Sequence, residues 1–321
     1  MKKILSGIQP SGELHLGNYF GAIRQYLQMQ EEHDCYFFVA NYHALTTIRD
    51  GELLRELTLS CAADYLALGL FPDKAAIYVQ SQLPEVTELM WLLTTVTPVG
   101  LLQRCHAYRE KISEGLSPDH GLFAYPVLMA ADILIHDADL VPVGQDQKQH
   151  VEVTRDIAQK FNHHFDEEVF KLPEAYILGD TAVVPGTDGR KMSKSYGNTL
   201  PIFADEEDLK QGIMGIQTDS KPLDASKDPE DCNLYAIFRL FADEEERKEV
   251  EKGYREGGLG YSTVKKRLFE LVMEHFAEAR QRRRELEEDP DFVRDVLREG
   301  VNKARDNALD IYEKARWAAG C

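Results

Sequence analysis

The chain has little cysteine, little positive charge for its size and no long apolar run, and each shortage removes a class of protein. Its five cysteines, at positions 35, 61, 105, 232 and 321, are odd in number and scattered, with no Cys-x-x-Cys pair. This argues against a disulfide framework or a zinc knuckle and fits a reducing compartment. Cys35 and Cys61 read as small buried hydrophobes. With 22 Gly and 13 Pro in 321 residues, the chain is neither fibrous nor disordered. No stretch of 18 apolar residues exists, so no membrane span is expected. The basic start Met1-Lys2-Lys3 is followed by an apolar stretch that breaks at Ser6-Gly7, too soon for a signal peptide. A cytoplasmic location is the expectation. Lys and Arg number 37 against 55 Asp and Glu, a formal charge of −18. That mean field repels phosphate and disfavours a protein that coats nucleic acid without specificity, although local basic clusters exist. These are Lys265-Lys266-Arg267, Arg280 to Arg284, and Lys303 with Arg305.

What is present is a soluble globular composition, 43% apolar and 29% charged, long enough for about two domains. Short apolar runs at Ile4 to Ile8, Cys35 to Ala40, Ala76 to Gln80 and Leu140 to Val143 alternate with helical periods over 17–32, 53–70 and 84–95. This alternation implies a Rossmann-like, doubly wound parallel sheet, whose ligands bind at the carboxyl ends of its strands. From about residue 201 the pattern is helical. Val264, Leu268, Leu271, Val272, Phe276 and Ala279 recur at helical spacing, as do Val293, Val296, Leu297, Ala304, Ala308, Ile311 and Ala315. Gly253 through Gly260 reads as a loop, and Asp289-Pro290-Asp291 as the start of the last helix. The expected organisation is a catalytic domain over 1–185, a loop over 186–200 and an all-helical region over 201–321, with the last helix able to pack back on the catalytic domain.

Two segments carry chemistry. Lys191-Met-Ser-Lys-Ser195 lies in a loop flanked by Gly186, Gly189 and Gly197, and its lysines and hydroxyls suit a grip on a phosphate chain. His15-Leu-Gly-Asn18 lies where the apolar run Ile4 to Ile8 turns through Pro10-Ser11-Gly12 into a helix, so free backbone N–H groups can meet an anion. Together they indicate nucleotide activation. In Tyr125-Pro-Val-Leu-Met-Ala-Ala-Asp132, Tyr125, Met129 and Asp132 are spaced by four and three and share one face if the stretch is helical. His163-His164 and His136-Asp137-Ala138-Asp139 lack supporting metal ligands and read as polar groups on the surface.

With these motifs the chain resembles the class I aminoacyl-tRNA synthetases. Ser6 to Asn18, Tyr125 to Leu134 and Val141-Pro-Val-Gly-Gln-Asp-Gln-Lys-Gln-His150 resemble the bacterial tryptophanyl-tRNA synthetases more than their tyrosyl relatives. The resemblance departs at Gln145, where the family usually has an acidic residue. It implies that Gln9, Pro10, Ser11, His15, Gly17 and Asn18 hold ATP, and that Lys191, Met192, Ser193, Lys194 and Ser195 close over its phosphates, with Mg²⁺ travelling on the nucleotide. Gly144 and Asp146 would lie at the ribose, with Gln145 also in the ATP site, Val183 or Val184 at the adenine, and Lys111 at a phosphate. For tryptophan, it makes Asp132 the acceptor of the indole N–H. Tyr125 and Gln147 would lie near the α-ammonium, with Met129, His43 and Gly7 lining the pocket. His15, Asn18, Lys191, Ser193, Lys194 and Ser195 would carry the chemistry.

The implied partners are tRNA(Trp), read by the helical region, and a second copy of the chain in a homodimer. One branch of the family holds a four-cysteine iron–sulfur cluster, and Cys232 resembles its first ligand. The later ligands are missing, so neither a cluster nor zinc is expected. The competing readings are activation of tyrosine or adenylylation of a small acid, opposed by Asp132 and the long helical region, and a non-catalytic RNA-binding or regulatory paralogue. The latter would be expected to lose the loop lysines, which this chain keeps.

Overall fold

The computed structural model describes every residue except 106, 107, 110, 111, 113, 114, 116–118, 145, 146, 178–183 and 220. Among the described residues, five strands form a single parallel sheet: β1 (Lys3–Ile8), β2 (Asp34–Val39), β3 (Ala75–Val79), β4 (Leu140–Val143) and β5 (Glu174–Ile177), in the order β3-β2-β1-β4-β5. β1 pairs with β2 from Lys3 opposite Asp34 to Ile8 opposite Val39, and with β4 through Ile4 opposite Leu140. Ile4, Phe37, Val39, Ile77 and their neighbours are buried, as strands covered on both faces require. The chain order reverses at β1, where the next strand in sequence moves from the β2 side to the β4 side. In open sheets of this kind that reversal opens a crevice for ligands.

The apolar pattern does not predict β5. Glu174-Ala-Tyr-Ile177 is short, lies at the sheet edge and leaves Tyr176 and Ile177 exposed, so burial left no apolar signature in its sequence. The helical stretch expected over 17–32 is present but broken. An α-turn at Leu16–Asn18 passes through a π-helical turn at Tyr19–Ile23 into the helix Arg24–Met29.

The chain forms two compact units. The first comprises Met1–Ser11, Tyr26–Gly179 and Asp289–Cys321, and the second Gly12–Gln25 and Asp180–Glu288. In the first, helices Gly51–Ala67, Glu85–Val96, His120–Ile135 and Lys148–Phe165 accompany the sheet. The final helix, Pro290–Ala319, starts where the Asp289 carboxylate accepts the Phe292 N–H, with Pro290 in the first turn. It packs on β3 so closely that any Cβ at Gly300 would overlap the Ile77 carbonyl.

The second unit is helical over Glu206–Met214, Asn233–Phe238, Glu244–Glu256, Tyr261–His275 and Ala277–Glu288. Val264, Leu268, Val272 and Phe276 are buried, as their spacing predicts. Rings of Tyr19, Phe20, Phe241, His275 and Phe276 join them edge to face. The loop expected from Gly253 begins later. The helix continues through Gly253, where a Cβ would crowd Leu259, and ends at Gly257, whose φ of +81° suits glycine. No helix among the described residues is long and apolar enough to cross a membrane.

Candidate active site

The first unit carries a buried carboxylate at the carboxyl end of its sheet. Asp119 caps the helix His120–Ile135 by accepting the Leu122 N–H, and this helix places Tyr125 and Asp132 among buried residues with Met129 half-buried. Asp132 is 3% exposed. His43 Nε2 lies 2.9 Å from its Oδ2, and Gln80 Nε2 lies 2.8 Å from both Oδ1 and Oδ2. Burial pushes the Asp132 carboxyl above the ordinary carboxylate range, while His43 and Gln80 pull it down. His43 belongs to the short helix Asn41–Ala44 that follows β2, and its ring meets the Tyr125 ring edge to face at 6.1 Å. Gln80 is the first residue after β3.

Gly7, exposed near the end of β1, has the Phe38 ring so close that a Cβ would come within 2.6 Å of it. Gln9 is half-buried, Pro10 buried, and the Gln9 carbonyl accepts the Ser11 N–H. After β4, the Gly144 carbonyl accepts the Gln147 N–H, and Gln147 is exposed at the start of the helix Lys148–Phe165. These expected tryptophan residues and the Gln9–Ser11 and Gly144 positions thus come from the carboxyl-end side of β1 to β4 or from the helix beside it. Lys111, Gln145, Asp146 and Val183 lie outside the described residues.

The second unit brings the two signature segments together. His15 forms an antiparallel bridge with Pro201, flanked by bonds from Leu16 N to Leu200 O (3.0 Å) and from Ile202 N to Leu14 O (2.9 Å). The Gly17 N–H points at Met192 Sδ (3.3 Å), and Lys194 Nζ donates to the Gly12 carbonyl at 2.8 Å. A Cβ on Gly17 would lie 3.0 Å from the His15 ring, so this approach depends on glycine. Asn18 closes the turn by accepting the His15 N–H. His15 is 5% exposed, and burial, helped by the Lys194 charge, holds its imidazole down at about 4. Its Nδ1 is buried, with no hydrogen-bond partner among the described residues.

The signature loop is tied to its own base. Pro185 bridges Lys191, and buried Val184 accepts the Met192 N–H. Asn198 accepts the Ser193 N–H and donates to Asp188 and to the Lys191 carbonyl. Gly189 (φ +84°) and Gly197 (φ +62°) occupy left-handed turns, whereas Gly186 makes room for Asn198. Lys191 and Ser195 are exposed and Ser193 is half-buried.

Gln80 and Asn198 carried no signal in the sequence, because a lone amide side chain reveals a role only through what folding places against it. The basic clusters largely serve the fold. Arg280 donates to the Ile202 and Ala204 carbonyls, Lys265 to Met214 and Ile216, and Lys303 to Pro72. Arg267, Arg283 and Arg305 pair with Glu246, Glu287 and Glu85. His136 corrects the surface reading: it is fully buried, and Tyr78 Oη lies 2.8 Å from its Nε2. His163 and His164 are exposed, Cys232 is buried, and no metal-binding group of three ligands occurs among the described residues.

The sheet order and the paired signature segments are those of a class I aminoacyl-tRNA synthetase. Residues 1–277 match the family model for class I tRNA synthetases (W and Y), and the chain belongs to that family. It is 54% identical over 318 residues to the tryptophan–tRNA ligase of Rhodopirellula baltica, covering 99% of each chain. Identity to that of Fusobacterium nucleatum is 52% over 320 residues, covering 100% of this chain and 98% of the relative. The crystal structure of Campylobacter jejuni tryptophanyl-tRNA synthetase complexed with ADP and tryptophan is similar to it with a TM-score of 0.93 and 50% identity, covering 99% of this chain and 100% of that one.

Proposed function

We propose that this chain is a tryptophan–tRNA ligase. It activates L-tryptophan with ATP, giving tryptophanyl-adenylate and pyrophosphate, and transfers the tryptophanyl group to the 2′-hydroxyl of the terminal adenosine of tRNA(Trp). The observation that carries the substrate assignment is the buried Asp132 carboxylate, oriented by His43 and Gln80 on the face shared with Tyr125 and Met129. A desolvated anion demands a donor; phenylalanine has none, and tyrosine places its hydroxyl elsewhere than the indole N–H of tryptophan. The relatives of more than half identity and the ADP and tryptophan complex of the similar structure support the same reading.

In the activation step the tryptophan carboxylate attacks the α-phosphorus and pyrophosphate leaves. No protein nucleophile is needed, so the residues act by alignment and charge neutralisation. Lys194, beside the Gly12 carbonyl, and Lys191 would counter charge on the departing pyrophosphate, with Ser193 and Ser195 donating hydrogen bonds. His15, Gly17 and Asn18, on the turn that follows β1, would help hold the nucleotide. Gln9, Pro10, Ser11, Gly144 and Val184 would complete the ATP contacts, and Mg²⁺ would arrive on the triphosphate. Tyr125 and Gln147 would hold the α-ammonium, and Gly7 and His43 would line the pocket.

The helical region would contact tRNA(Trp), the enzyme would work in the cytoplasm, and two copies would assemble. Trp91 (68% exposed) and Val99 (60% exposed) are the sort of apolar surface a second subunit would cover. Exchange of labelled pyrophosphate into ATP, run with each of the twenty amino acids, tests the assignment. Tryptophan alone should support it, and exchange with tyrosine but not tryptophan would overturn it.

A further inference from the structure

We infer that Gln80 is a positioning residue that sets tryptophan specificity by keeping Asp132 an oriented anion with one lone pair left for the ligand. This rests on the proposed tryptophan activation. The Gln80 amide is itself held in one orientation. Its Oε1 accepts the Tyr42 N–H at 3.0 Å while its Nε2 faces the carboxylate, so each end of the amide meets a group of matching character. The adjoining residue repeats the tie: Asn41 Nδ2 lies 2.8 Å from Ser81 Oγ, and the Ser81 N–H donates to Asn41 Oδ1 at 3.1 Å. The end of β3 is thereby fastened to the helix Asn41–Ala44, which also carries His43.

The carboxylate geometry follows. A nitrogen 2.8 Å from both oxygens is equidistant from the two and bridges them, engaging a lone pair of each. His43 takes Oδ2. A carboxylate offers about four lone-pair positions, so the outer one on Oδ1 is left for an incoming donor. Gln80 is 1% exposed, so its amide cannot trade Asp132 for water without unfolding the strand end. Its donor also opposes the rise that burial imposes on the Asp132 pKa. Were Asp132 to take up a proton, its hydroxyl would become a donor, and the selection for an indole N–H would be lost.

Gln80→Met keeps the side chain's length and removes the donor, and wild-type exchange with tryptophan is the control for the underlying assignment. If the wild type fails that control, the assignment fails, whatever Gln80 does. With the control satisfied, Gln80→Met should lower kcat/KM for tryptophan about 10- to 100-fold through KM, as the loss of a hydrogen bond to a charged group requires. The acid limb of its pH profile should move to higher pH, and the preference for tryptophan over phenylalanine should shrink. The isosteric Gln80→Glu should confine activity to pH values at which the introduced carboxyl and Asp132 share one proton, lowering the alkaline limb. A purely structural glutamine would shift melting temperature and leave both limbs and the specificity ratio in place. That outcome in either folded variant would overturn the inference, as would failure of both variants to fold.

Discussion

A lysine proposed to grip the phosphates would act on the charge that develops during the reaction, so its loss should appear in the rate. Lys194→Ala is expected to slow adenylate formation about 100-fold or more, on the scale of one preorganised donor, while the dissociation constant for tryptophan changes little. Rapid-quench measurement of the first turnover checks this; unchanged chemistry with weakened tryptophan binding would contradict the role. Asp132 should show the opposite pattern. Asp132→Ala leaves His43 and Gln80 without their shared acceptor and removes the group proposed to reject ligands lacking a donor. Its preference for tryptophan over phenylalanine should collapse from the roughly 10⁴ that a buried polar group can enforce. Specificity ratios measured on the folded variant decide the matter. A helix-bound aspartate with only a structural role would lose stability and keep the ratio.

Among the elements, the last helix depends on one missing methyl group. Because a Cβ at position 300 would overlap the Ile77 carbonyl, which is backbone and cannot rotate away, Gly300→Ala should destabilise the protein by about 3 kcal/mol, at the upper end for overpacking. Urea unfolding would show it, and a loss below about 0.5 kcal/mol would mean that helix and strand separate easily. The apolar spacing of Val293 to Ala315 was legible in the sequence and all seven residues are buried. The partner strand was not legible, because periodicity shows that a face is covered and leaves open by what. β5 escaped notice for the reverse reason, since an exposed edge strand needs no apolar alternation.

For the whole molecule, acid should act through a buried histidine. Tyr78 Oη and the Asn307 amide meet His136 Nε2 and Nδ1; with that amide turned so that its oxygen accepts from Lys3 Nζ, its nitrogen donates to Nδ1. Burial holds the imidazole at about 4 against an ordinary value of 6.5. The unfolded chain therefore binds a proton that the folded one refuses between those values. Stability from this group is complete above pH 6.5, declines on acidification and is gone below pH 4, a loss of about 3 kcal/mol. Urea midpoints at pH 7 and pH 5 should differ more for the wild type than for His136→Gln; equal differences would show that other groups govern acid sensitivity. In solution the proposed dimer should sediment at twice the 36.5 kDa chain mass, and Trp91→Glu should return it to a single chain. A wild-type protein that sediments as one chain would refute the dimer.

The class of reaction and the layered sheet could be read from the order of residues alone. Lys191 to Ser195, His15 to Asn18 and the Tyr125 to Asp132 face are contiguous or periodic, so their chemistry is written locally. The rest was settled by folding: that Lys194 reaches the Gly12 carbonyl 182 residues away, that Gln80 and His43 grip Asp132, and that His136 is interior. Those facts depend on long-range hydrogen bonds, whose partners are chosen when folding removes water and leaves each buried polar group to find a match.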